Sequence, residues 1–260
     1  VVLLLHGFPE CWYCWRAQIA PLAAAGLRVI VPDQRGYNLS DRPRGIGPYR
    51  LDRLTRDMEE LLDDLGASRA TVVGHDWGGV VAWWLAVTRP ERVTALVACN
   101  IPHPAVMRRF LWRDPAQRRR SWYIFFFQLP WIPEWWLGRR DCRVLRSILR
   151  RTSRRGTFDD QILETYRQAW NRPGALTSMV AWYRAAVRRP LSTPDRLEVE
   201  APTTVVWGAR DTALGVEMVA PSLELCRDAR SYIVDDATHW IQHEEPELVT
   251  RAILDAASVA

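Results

Sequence analysis

Short apolar runs alternate along this chain with segments of helical periodicity, and that alternation narrows the possible folds more than any other feature. Val1–Leu5, Arg28–Pro32, Ala70–Gly74, Val93–Ala98, Thr203–Trp207 and Ser231–Val234 are rich in β-branched residues or leucine. Most end in Gly, Pro, Asp or Asn, so they read as short buried strands. Cys14–Ala25, Asp52–Leu65, Gly79–Thr88, Val216–Cys226 and Pro246–Ala257 read as helices between them. Strands apolar on both faces and joined through helices predict an α/β fold with a doubly wound, mostly parallel sheet. Ligands of such sheets sit beyond the carboxyl ends of the strands. A buried strand that begins at residue 1 predicts one of two things: earlier strands of the sheet are missing, or this strand is a short covered edge.

The alternation stops between Asn100 and about Pro202, where Trp112, Trp122, Trp131, Trp135, Trp136, Trp170 and Trp182 accumulate. Asp159–Asn171 and Ala175–Arg188 have helical spacing there, and no strand pattern appears. A helical insertion over residues 104–197 is therefore expected to lie on a core built from 1–103 and 198–260. Residues 108–155 hold 14 Arg against Asp114, Glu134 and Asp141, about +11 in a chain of net charge +5. Nucleic acid or an anionic membrane would suit such a stretch. A solvated helical face is the expectation, because the rest of the chain is near neutral or acidic.

Other chemistries are excluded by composition. The chain has no lysine, so Schiff-base aldol chemistry, lysine-bound pyridoxal phosphate and a P-loop lysine are ruled out. With 48% hydrophobic residues in 260, a packed core is expected, and no apolar run approaches the ~20 residues of a membrane helix. The opening Val1-Val2-Leu3-Leu4-Leu5 carries no basic flank, so no signal peptide is expected. Five cysteines without such a signal predict reduced thiols in a cytoplasm. Cys11-Trp-Tyr-Cys14 is a lone C-x-x-C with no second pair for zinc. His239 and His243 are spaced i, i+4 but lack a third ligand. No metal or cofactor is expected.

Val73-Gly74-His75-Asp76-Trp77-Gly78-Gly79 follows a strand and opens a helix. The spacing Gly74-x-Asp76-x-Gly78 is that of the G-x-S-x-G nucleophile elbow, with Asp in place of Ser. Glycines are needed on both sides because a Cβ would clash in so tight a turn. Asp76 as a plain helix cap would not require them. A carboxylate is ionised at pH 7 without a base. Its attack on an ester or amide gives a high-energy anhydride, whereas attack on saturated carbon gives an ordinary ester that water can split. An alkylating substrate follows, either an epoxide or an alkyl halide. His6-Gly7-Phe8-Pro9 after the first strand can offer the Phe8 N–H, with that of Trp77, as an oxyanion hole. Asp211 and His239 each follow a predicted strand, in the order nucleophile, acid, histidine.

These residues resemble the soluble-type epoxide hydrolases of the α/β-hydrolase fold. The likeness runs through HGFPE (6–10), RGYNLSD (35–41), GHDWGG (74–79), PERV (90–93), WGARD (207–211) and the His239 loop. In that family the insertion is a cap whose two tyrosines hold the epoxide oxygen. The segments Ser121–Gln128 and Ala181–Arg184 are similar to those that supply them, which points to Tyr123 and Tyr183, with Tyr166 as a spare. The resemblance implies a bacterial, cytoplasmic enzyme, a monomer or homodimer, that acts on a small apolar epoxide with water. It implies no cofactor and no nucleic-acid or membrane partner. Phe8, Trp77, Trp122, Trp182 and Trp240 are the expected pocket residues. Dehalogenases share the elbow and are the alternative, but they commonly place Asn where Phe8 stands, or Arg where Trp77 stands. A non-catalytic module with a basic, aromatic face is a third reading, opposed by the intact nucleophile, acid and histidine. Asn38 replaces a glycine of the family's loop and tolerates positive φ.

Overall fold

The computed structural model describes residues 1–192, 194 and 196–258. Among these residues, six strands form one sheet: β1 (Val2–Leu5), β2 (Val29–Ile30), β3 (Ala70–His75), β4 (Val93–Cys99), β5 (Thr203–Gly208) and β6 (Ala229–Val234). Their order is β2-β1-β3-β4-β5-β6, and every neighbouring pair is parallel. β1, β3 and β5 are buried along their whole length, whereas β2 and β6 are partly exposed. β1 is thus an inner strand and not the covered edge offered as one alternative. The edge beside it is β2, reduced to two paired residues, which leaves little unpaired backbone to recruit another chain.

Alternate side chains of β1 serve opposite faces of the sheet, as strand geometry requires. Val2 and Leu4 meet the core under α1 (Arg16–Ala24), whereas Leu3 and Leu5 meet the core under α2 (Leu51–Asp64) and α3 (Trp77–Thr88). Between β4 and β5 come α4 (Pro104–Arg113), α5 (Pro115–Arg120), α6 (Trp122–Phe126), α7 (Ile132–Thr152), α8 (Asp160–Trp170) and α9 (Ala175–Arg188). α5 and α8 are capped by Asp114 and Asp159, whose carboxylates accept from backbone N–H groups of the first turn. The predicted helix over 216–226 is shorter, a 3₁₀ turn at Val216–Met218 and α10 (Val219–Leu223). After β6 come α11 (Ile241–Glu244) and α12 (Pro246–Ser258), and α12 packs with α1 on the Val2–Leu4 face.

The inserted helices are bonded to loops that leave the carboxyl ends of strands. Trp170 Nε1 donates to Pro9 O (2.5 Å), past β1, and Trp182 Nε1 to Arg35 O (3.0 Å), past β2. Gln117 Nε2 donates to Ala213 O (2.8 Å), past β5. The helices therefore roof the end of the sheet where a ligand is expected.

Candidate active site

Asp76 stands between β3 and α3 with φ 49° and ψ −122°, a conformation that side chains other than glycine's rarely take. The glycines around it leave no room for anything larger. A Cβ on Gly74 would fall on the Gly78 carbonyl, and one on Gly78 on the Leu5 carbonyl. Although Asp76 is the N-cap residue of α3, its carboxylate caps nothing there. It turns instead to the loop after β1, where Oδ1 accepts the Phe8 N–H at 2.8 Å. His6 pins that loop: its Nε2 accepts from Gln34 N at 3.0 Å, and burial holds its pKa below the usual value. Trp77 is the first residue of α3, so its N–H has no carbonyl of its own helix to bond.

On the other side of the carboxylate lies His239, with Nε2 3.7 Å from Asp76 Oδ2. Its Nδ1 donates to Asp211 Oδ2 at 2.7 Å. Asp211 is held in turn. Oδ1 accepts from the N–H groups of Ala213 and Leu214, and Oδ2 also from Asn100 Nδ2 at 2.8 Å. Burial would push the His239 imidazole down, but the Asp211 carboxylate, aided by Asp76, carries it up to about 9. Burial likewise opposes the charge of Asp211, yet His239 and these donors hold its carboxyl below the usual range. A negative carboxylate, a protonated imidazole and a second carboxylate thus stand in line, all more than nine-tenths buried.

The aromatic wall comes from both parts of the chain. Tyr183 on α9 and Tyr123 on α6 meet edge to face, with centroids 5.9 Å apart. Burial raises the pKa of both hydroxyls, and the Asp76 charge raises them further, so both lie within its field. Trp77 packs on Tyr183 (5.0 Å) and on Trp182 (5.7 Å), and Phe8 on Tyr183 (5.4 Å). Trp122 does not belong to this wall. It is exposed and packs on Phe126, while Phe127 is buried against Phe8, Tyr123 and Tyr183. Helical spacing explains the exchange, because Tyr123 and Phe127 are i, i+4 and share a face, whereas Trp122 is turned ~100° away. Trp240 stands behind the imidazole, 5.0 Å from the His239 ring, and its N–H donates to Thr152. Tyr166 is not a spare for the pair: it donates to Glu10 Oε1 at 2.8 Å.

Three features escape sequence reading. Asn100, in the left-handed region just past β4, spans β5 by donating to Asp211 and accepting from Gly208 N. Its place at a strand's carboxyl end was the available signal. Glu10 is buried and anionic. Burial opposes its charge, but His243 and His75 outweigh that and hold its pKa well below the carboxylate range. Arg16 donates to His243 Nδ1 (3.0 Å), which leaves His243 Nε2–H to donate to Glu10 Oε1 (2.6 Å). His243 is therefore engaged within the protein, and among the described residues no His, Cys, Asp and Glu cluster is arranged for a metal. Tyr37, from the RGYNLSD loop, is buried within the field of Asp76, and its hydroxyl makes no hydrogen bond in the protein.

Comparison with known proteins agrees with this architecture. Residues 1–246 match the protein family described as alpha/beta hydrolase fold. The AB hydrolase superfamily protein YfhM of Bacillus subtilis is 45% identical over 255 residues, which cover 98% of this chain and 89% of the relative. Epoxide hydrolase 4 of Homo sapiens is 38% identical over 262 residues, covering 97% of this chain and 71% of the relative. The crystal structure of a mutant epoxide hydrolase from Bacillus megaterium superposes with a TM-score of 0.90 at 29% identity, covering 99% of this chain and 93% of that one. The fold, the roofed sheet and the match over nearly the whole length lead to one statement: this chain belongs to the alpha/beta hydrolase fold family.

Proposed function

We propose that the chain is an epoxide hydrolase that converts an apolar epoxide to a vicinal diol through an ester on Asp76. The supporting observation is the Asp76 carboxylate, with His239 Nε2 at 3.7 Å and the edge-to-face pair Tyr123 and Tyr183 within its field. Relatives named epoxide hydrolases add weight. On this reading residues 104–197 are a cap over a catalytic core of 1–103 and 198–260.

Asp76 Oδ1 is held by the Phe8 N–H, so Oδ2 is the oxygen that attacks. The Oδ2–carbon bond forms as the ring C–O bond breaks, and the departing oxygen takes a proton from a tyrosine hydroxyl. Without that proton the alkoxide would be a poor leaving group. Loss of the Asp76 charge removes one of the influences that keep His239 protonated. The imidazole gives its proton to solvent or the tyrosinate and becomes a base. It then takes a proton from water, whose oxygen attacks the ester carbonyl carbon. The resulting oxyanion at Oδ1 is stabilised by the N–H groups of Phe8 and Trp77. Collapse expels the diol oxygen, which takes the proton from His239; the new Asp76 carboxyl then passes its remaining proton to the imidazole, which restores the carboxylate and the imidazolium. Asp211 keeps the imidazole oriented and balances its charge.

His239→Gln should form the ester but not hydrolyse it. Mass spectrometry after one turnover with styrene oxide or an aliphatic epoxide should find the substrate's mass added to the peptide containing Asp76, and no addition in Asp76→Asn. Failure to trap an adduct with any epoxide, together with halide release from haloalkanes or haloacids by the native chain, would replace this reading with a dehalogenase.

A further inference from the structure

The outer face of α6 and the start of α7 presents an unusual surface. Among the described residues, seven of the twelve large apolar side chains left exposed lie within residues 112–135. They form one face. Trp112 meets Phe125 at 6.4 Å, and Phe126 meets Trp122 at 5.7 Å and Trp136 at 5.4 Å, which joins α4, α6 and α7. At its tip, between Pro130 and Pro133, Trp131 is 81% exposed and sits at φ 57°. A left-handed backbone costs a residue of this kind about 1–2 kcal/mol. That backbone opens α7, since the Trp131 carbonyl accepts from Trp135 N at 3.0 Å, but the helix start does not require an indole there, and this one is left in water.

The charge around this face is predominantly positive. Arg109, Arg113, Arg118, Arg119, Arg139 and Arg140 are exposed, and the Arg139 guanidinium stands 4.8 Å from the Trp135 ring centre. The carboxylates beside these arginines are engaged: Asp114 caps α5, Glu134 pairs with Arg184, Asp141 with Arg167, and Glu217 with Arg120. A second copy of the chain would bring the same positive face against itself. A nucleic acid would satisfy the arginines but not a protruding apolar tip. An anionic lipid surface satisfies both, with indoles at the headgroup level and guanidinium groups among the phosphates.

We infer that this face docks the protein on an anionic phospholipid bilayer, with the Trp131 tip and Trp135 inserted and the neighbouring arginines on the headgroups. The expectation of a merely solvated basic face does not account for the aromatic residues among the arginines. α6 also carries Tyr123, whose ring faces Tyr183, so docking would set the aromatic wall close to a source of apolar substrates. The docking itself does not depend on the reaction proposed above, and its test involves no turnover.

The test is flotation of the full chain with vesicles of phosphatidylcholine containing one-third phosphatidylglycerol. The native chain should float at low salt, and flotation should fall at high salt and on pure phosphatidylcholine. Trp131→Ser with Trp135→Ser should lower the partition coefficient about tenfold or more, and Arg113→Gln with Arg118→Gln and Arg119→Gln similarly. Brominated phosphatidylcholine in the mixed vesicles should quench the native chain's tryptophan emission, a readout that needs no variant. The inference is overturned by no flotation at low salt, by tryptophan variants that float like the native chain, or by the absence of quenching. A dimer in sedimentation velocity that the tryptophan variants abolish would assign the face to a second copy instead.

Discussion

His239 illustrates how one residue's surroundings set both stability and chemistry. An exposed imidazole titrates near 6.5, and here Asp211 and Asp76 overcome burial to bring it up to about 9. A raised folded-state value means that the pairing stabilises the fold fully below the unfolded value of about 6.5. That stability is lost as pH rises through 9. Urea unfolding between those limits should show the native chain losing on the order of 3 kcal/mol from this source, a slope that His239→Gln removes. A parallel pH dependence in the variant would mean that the pair is not protonated as described. The tyrosines are tested separately. Tyr183→Phe and Tyr123→Phe should each slow ester formation about 10²-fold, and the double variant more, while hydrolysis of a preformed ester is little changed. Stopped-flow single turnover separates the two steps. Asp76, Asp211 and His239 were readable from the sequence because each sits just past a strand whose apolar run is legible. Two residues that tie the surrounding loops together, Asn100 and Glu10, were not. Asn100 lies 111 residues from Asp211, and Glu10 233 residues from His243, so only the folded sheet brings them together.

At the scale of an element, the elbow is the least tolerant part of the fold. β3 must hand the chain to α3 within one residue, and both glycines there face backbone carbonyls that have nowhere to go. Gly78→Ala should cost about 3 kcal/mol or more, because the Leu5 carbonyl belongs to an inner strand and cannot retreat. Gly47→Ala is the matched control. A Cβ there meets nothing within 4 Å, so its unfolding free energy should stay within about 0.5 kcal/mol of the native chain. Equal effects in chemical denaturation would refute the steric account. Strands and long helices were legible here because burial enforces their periodicity. α6 gives no such signal: five residues span little more than one turn, too few for the sequence to tell Trp122 from Tyr123 as the inward residue. β2 was also overextended, since Arg28–Pro32 has strand composition but only Val29 and Ile30 find a partner.

Across the whole molecule, the inserted helices and the sheet share their polar contacts instead of merely touching. Trp170, Trp182 and Gln117 each donate from the insertion to a carbonyl of the sheet's loops, and Tyr49 donates to Ser178 at 2.9 Å. Arg154, just after α7, binds Asp236 and Glu245 on either side of His239, while Glu244 accepts from the N–H groups of both Arg154 and Thr238. Releasing the insertion would give up these hydrogen bonds to water and would expose the apolar face of α9 along with Phe127. Water would satisfy the released donors, so the cost lies mainly in the apolar surface laid open, about 25 cal/mol per Å². An intermediate with the sheet folded and the insertion free should therefore lie too high to be populated. Urea unfolding followed by far-ultraviolet circular dichroism and by tryptophan emission should give coincident transitions, the first signal reporting helices of both parts and the second drawing on seven tryptophans in the insertion and seven outside it. A tryptophan transition that precedes the loss of helix would show that the insertion can open alone. The imidazole loop, tied to both parts through Arg154 and Glu244, would then have to loosen with it.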